Sequence, residues 1–198
     1  ATGDVQWMTA GNGVVHEEFH SDAFSKTGGT FEMVQLWVNL PAAKKNFAPA
    51  YQSLKAADIP VVSRGHGNVR LIAGHLDGTN GAAHTHTELN MWEIDLPADG
   101  AMTLPVPENH NLLLVALRGT ARINDRDLLR PSELATFNES GDSIRISAEG
   151  DAVKLLLLSG VPIDEPIAAY GPFVMNSRDE IRQAIADFNS GRFGNMPR

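Results

Sequence analysis

The side chains able to do chemistry here are mainly imidazoles and carboxylates. Seven histidines, His16, His20, His66, His75, His84, His86 and His110, are set among 24 Asp and Glu. The most informative run is Val14-Val15-His16-Glu17-Glu18-Phe19-His20. On an extended strand His16 and Glu18 project from one face, because side chains alternate with a period of two. An imidazole and a carboxylate so placed can share one divalent ion and leave positions open for substrate or oxygen. His20 has the same parity but lies about 13 Å along the strand from His16, out of reach of a common ion unless the strand bends. Taken alone, His-x-Glu reads more readily as a solvated polar strand end than as a metal site. His84-Thr85-His86, followed by Glu88, repeats the parity, and its alternative is a polar turn ahead of a strand. His66, His75 and His110 stand singly near Gly or Asn and read as turn residues. No Gly-x-Gly-x-x-Gly, P-loop or Gly-x-Ser-x-Gly elbow occurs. With no cysteine, disulfides and thiolate metal sites are excluded.

The elements that must position these residues are mostly short strands. Val34–Leu40 carries an apolar even-numbered face of Val34, Leu36, Val38 and Leu40, and Met91–Leu96 alternates likewise. Further strands are expected at Val69–Ala73, Ala101–Val106, Leu112–Leu117, Ala121–Asn124, Glu133–Phe137, Ser143–Ser147 and Val153–Ser159. Gly, Asn and Asp turns separate them, which points to an all-β sandwich or barrel. Pro41–Ala57 reads as a connector with one or two short helices. Ser177-Arg178-Asp179-Glu180 has capping-box spacing, and Ile181, Ala184, Ile185 and Phe188 then line one face, so a helix is expected over 177–190. The expected division is a short β piece at 1–45, a linker at 46–60, a β domain at 61–165, and a tail at 166–198 whose helix packs back on the first piece.

Composition sets the outer limits. The 198 residues are 42% hydrophobic and 20% charged, the balance of a globular protein that buries a sizeable core. A net charge of −8 without a Lys/Arg cluster argues against binding nucleic acid directly. No apolar run is long enough to span a membrane, and no leader pattern is visible, so a cytoplasmic protein is expected. The opening Ala1-Thr2-Gly3-Asp4 lacks an initiating Met and reads as a chain cut from something longer.

Longer strings carry a resemblance. Gly3-Asp4-Val5-Gln6-Trp7-Met8-Thr9-Ala10-Gly11-Asn12-Gly13-Val14-Val15-His16-Glu17-Glu18 resembles the second metal-binding motif of the pirin family. Gln35-Leu36-Trp37-Val38-Asn39-Leu40-Pro41, Tyr51-Gln52, Ile59-Pro60 and Gly171-Pro172-Phe173-Val174-Met175-Asn176 are similar to pirin as well, in the same order. The resemblance implies a bicupin: two double-stranded β-helix (jelly-roll) barrels, here with an incomplete N-terminal barrel and a C-terminal α-helix. It implies Fe(II) held by three His and one Glu in the N-terminal barrel, with His16 and Glu18 matching the last two ligands. The family's His-Pro-His motif would lie ahead of Gly3, so iron binding by this chain is expected to be weak or absent. The family's C-terminal barrel usually holds no metal. This returns His84 and His86, which also resemble a generic cupin ligand cluster, to the polar-turn reading. The implied activity is that of a quercetin 2,3-dioxygenase-type oxidoreductase acting on a flavonol-like aromatic substrate, with Glu18 as a base towards a substrate hydroxyl. The alternative it implies is a redox-sensitive regulatory protein that binds a transcription factor or metabolic enzyme.

Overall fold

A computed structural model describes residues 2–138 and 140–194. The chain forms two compact units. One takes the residues up to Trp7 together with Gln52–Pro162, and the other takes Met8–Tyr51 with the residues from Ile163 onward. The boundary falls within β1 (Val5–Thr9) and within β2 (Ala50–Leu54), which pair in a two-stranded sheet.

The first unit is a two-sheet β-sandwich of the jelly-roll kind. Its strands are β3 (Val61–Arg64), β4 (Gly67–Ala73), β5 (His75–Leu76), β6 (Thr79–Asn80), β7 (Leu89–Leu96), β8 (Ala101–Pro105), β9 (Asn111–Arg118), β10 (Ala121–Ile123), β11 (Asp127–Leu129), β12 (Leu134–Thr136), β13 (Ser143–Ala148) and β14 (Val153–Gly160). Six strands in the order β12-β9-β14-β7-β4-β3 make one sheet, and β11-β10-β13-β8 make the other. Between them lies a core that includes Val69, Leu71, Trp92, Ile94, Leu104, Leu114, Ile146, Leu155 and Leu157. The outer face of the six-stranded sheet is also covered. Ile72, Ala73, Met91 and Leu156 pack there with Ile59 and with half-buried Val5, Trp7 and Leu54. A strand buried on both faces needs apolar residues at both parities, and this accounts for the unbroken Leu155–Leu158 in β14. A bulge at Ile72 shifts the β4–β7 register, so Ile72 and Ala73 both serve the outer cluster while Leu71 stays in the inner core.

The second unit contains α1 (Asp22–Thr27), α2 (Ala42–Lys45), the hairpin β15 (Ala168–Tyr170) and β16 (Phe173–Met175), and α3 (Arg178–Asn189). Helix α3 forms as its cap predicts: Ser177 Oγ accepts from Glu180 N at 3.2 Å. The Glu180 carboxylate reaches back to Asn176 N, one residue earlier than in the standard box. Of the helix's apolar face, Ile181 is buried while Phe188 remains exposed.

Two local expectations fail here. The strand expected at Val34–Leu40 does not form, since residues 28–41 are neither helix nor strand. Both parities are exposed, with Val34, Leu36, Trp37 and Val38 all open to solvent. Alternation identifies a strand only when a ladder partner pairs with it, and a two-sided apolar run without one has no register to keep. The helix-favouring residues Gln52–Leu54, assigned to a connector, instead belong to β2, where pairing with β1 overrides local propensity. Among the described residues no helix is long and apolar enough to cross a membrane.

Candidate functional site

His16 and Glu18 lie in the second unit, just beyond a glycine turn. Gly11 (φ 53°) and Gly13 (φ 114°) both occupy the left-handed side of backbone space. A Cβ on Gly11 would stand 1.9 Å from the carbonyl oxygen of Phe47, and one on Gly13 would stand 2.2 Å from the ring of Phe193. Only glycine permits so close an approach. The turn is fastened by Asn12 N donating to Phe47 O at 2.9 Å, Gly13 N to Ala10 O at 3.0 Å and Val15 N to Phe193 O at 3.3 Å.

Beyond Val15 the chain leaves this anchor. His16, Glu17, Glu18, Phe19 and His20 are exposed, and residues 13–20 form neither helix nor strand. The expected strand on which His16 and Glu18 share a face is therefore not formed. His20 turns to an aromatic cluster instead, its ring 5.1 Å from that of Phe24 and 4.9 Å from that of Phe31. Ser21 then caps α1, its Oγ accepting from Phe24 N.

Among the described residues no three His, Asp or Glu side chains gather into a group that could hold a metal. One imidazole and one carboxylate on an exposed segment would leave most of a metal's coordination to water, so the donors present do not enclose an ion by themselves. The His84–Glu88 cluster lies in the first unit and is fixed through its backbone. Gln52 Oε1 accepts from His84 N and Gln52 Nε2 donates to His84 O, both at 2.9 Å, while the imidazole stays exposed.

The residue that sequence reading misplaced is His110. It is 5% exposed, not an open turn residue, and belongs to a buried polar chain. His75 N donates to Asn90 Oδ1 (3.1 Å), Asn90 Nδ2 donates to Ser159 Oγ (3.0 Å), and Ser159 Oγ lies 3.4 Å from His110 Nδ1. The three side chains are dispersed over β7, the turn before β9, and β14, so spacing gave no signal. Asn90 and Ser159 as polar interruptions in apolar strands were the available hint.

A second buried polar group holds the 39–46 segment to the C-terminal tail within the second unit. Lys45 Nζ donates to Asn39 Oδ1 at 2.6 Å and to Val174 O at 3.2 Å. Glu165 accepts from Ala42 N at 2.7 Å and from Asn176 Nδ2 at 2.9 Å. Burial holds the Lys45 ammonium below its ordinary value, with the carboxylates of Glu165 and Glu180 pulling in the opposite direction.

Comparison with known proteins places these features in a lineage. Residues 91–194 match the family described as the pirin C-terminal cupin domain, and residues 1–38 match pirin. A Pseudomonas aeruginosa protein named "Putative quercetin 2,3-dioxygenase PA2418" is 49% identical over 193 residues, which cover 96% of this chain and 67% of that protein. Human pirin is 33% identical over 196 residues, 97% of this chain and 66% of its own length. A crystal structure of quercetin 2,3-dioxygenase from Acinetobacter baumannii superposes with a TM-score of 0.95 at 47% identity, covering 99% of this chain and 68% of that one.

Proposed function

The chain belongs to the pirin family, and from that premise we propose that it is the greater part of an iron-dependent oxidoreductase of the quercetin 2,3-dioxygenase type. The carrying observation is the 49% identity to the P. aeruginosa protein, together with His16 and Glu18 standing exposed directly after the Gly11–Gly13 anchor. Neither side chain is committed to a core or to a helix, so both are free to turn towards an ion that further donors help to hold.

In this reading His16 and Glu18 are two of the iron's ligands, and the remaining donors come from outside the described residues. The substrate in this reading is a small flavonol-like aromatic molecule, with Glu18 as the base towards a substrate hydroxyl. The two donors present do not close a metal site by themselves. What this chain contributes is position: Gly11 and Gly13 lock the approach to residue 15, so the donors start from a fixed point.

Oxygen uptake with quercetin tests the reading, measured on a protein extended at its N-terminus to the length of the Pseudomonas relative. His16→Ala should abolish uptake and iron retention together. Equal rates with and without the substitution would remove the proposal.

A further inference from the structure

We propose that Phe193 is a positioning residue for His16 and Glu18, bracing the Gly13–Val15 segment from which both donors leave; this rests on the reading of those two side chains as metal ligands. The brace is built at the end of α3, where the helix stops at Gly191 with φ 77°. Arg192 N donates to Asp187 O and Gly191 N to Phe188 O, both at 3.0 Å. These are the two bonds of a Schellman motif, in which a left-handed glycine turns the chain back at the helix end. Arg192 Nη1 fastens the reversal to Asp187 Oδ1 at 2.6 Å, and Gly194 N closes a further turn on Gly191 O at 3.1 Å.

The reversal delivers the Phe193 ring to those of Phe188 in α3 and Phe173 in β16, with centroids 6.2 Å away in each case, and the latter two are 6.5 Å apart. Rings at this spacing attract one another beyond the apolar area they bury. The same ring lies on Gly13, where Cδ1 and Cε1 would each stand 2.2 Å from a Cβ. Its backbone carbonyl accepts from Val15 N at 3.3 Å. One residue therefore holds the segment twice, by its ring at Gly13 and by its backbone at Val15, and the next residue is His16. Donors bind an ion tightly only when packing holds them within about 0.5 Å of the productive geometry. Residues 16–20 are exposed and form neither helix nor strand, so what fixes Gly13–Val15 sets where His16 and Glu18 begin.

Amide exchange and Fe(II) affinity together test this, on the protein extended to the length of the Pseudomonas relative. Phe193→Ala should speed exchange of the Val15 amide at least about tenfold while amides in the middle of α3 keep their protection. The same variant should weaken Fe(II) at least about tenfold. Phe193→Tyr, which keeps the ring, should restore both. A double-mutant cycle isolates the contact: a methyl at residue 13 and the ring claim the same space, so Phe193→Ala should cost Val15 less protection in a Gly13→Ala background than alone. Unchanged Val15 exchange in Phe193→Ala, additive costs in the cycle, or faster exchange with Fe(II) affinity intact would each overturn the proposal. A parent protein that retains no iron while Val15 stays protected would overturn the ligand reading on which this rests, so the two failures are told apart.

Discussion

Gly11 and Gly13 illustrate how a single side chain's absence shapes the candidate site. A Cβ on Gly11 would meet the backbone carbonyl oxygen of Phe47 and one on Gly13 the ring of Phe193, and each residue also has positive φ. Gly11→Ala should therefore destabilise the second unit by about 1–3 kcal/mol, read as a fall in the urea midpoint at unchanged slope. Lys45 gives a second expectation at this scale. Its folded-state proton affinity is lowered by burial, so as pH approaches 10.5 from below the unfolded chain binds more protons than the folded one, and stability rises with pH across that window. Lys45→Met should remove this part of the slope in urea titrations between neutral and alkaline pH. An unchanged slope would mean that the ammonium is solvated. Glu149 shifts in the same direction for a different reason. Arg122 grips both its carboxylate oxygens, at 2.7 and 2.9 Å, and holds its titration below the ordinary 4.5. The stabilisation from this pair is present above that value and is lost as pH falls through the lowered one. NMR titration of the Glu149 carboxyl against the Arg122→Gln variant reads the shift directly.

Among the elements, β14 carries the first unit. Leu157 is fully buried in the inner core, so Leu157→Ala should cost about 2–5 kcal/mol in chemical unfolding, whereas Leu128→Ala on the half-open edge strand β11 should cost under about 1 kcal/mol. At the other end of the chain, Ser177→Ala should remove about 1 kcal/mol of protection from the first turn of α3 in hydrogen exchange. The contrast between these elements also explains what the sequence could reveal. Met91–Leu96, Leu112–Leu117, Val153–Ser159 and helix 177–190 were legible because each has neighbours in this chain that turn its periodicity into a buried face. Val34–Leu40 has an equally clear alternation but no ladder partner among the described residues, and Val34, Leu36, Trp37 and Val38 stay exposed. The candidate site follows the same logic. His16 and Glu18 were found through a long string shared with a family, since His-x-Glu spacing does not by itself distinguish a ligand pair from a wet strand end. His110 was missed because its burial depends on long-range partners from β7 and β14.

For the whole molecule, the two units divide the work unequally. The first has two hydrophobic clusters and a closed polar chain, whereas the second exposes Phe19, Phe31, Met33 and Trp37 and holds the candidate donors. The chain spans 67% of the length of its Pseudomonas relative. Iron stoichiometry is the most direct check, measured after anaerobic Fe(II) loading and desalting of the protein extended to that relative's length. The proposed ligand pair predicts one iron per chain, falling to near zero in both His16→Ala and Glu18→Gln while the circular dichroism spectrum is unchanged. Full iron retention in either variant would contradict it.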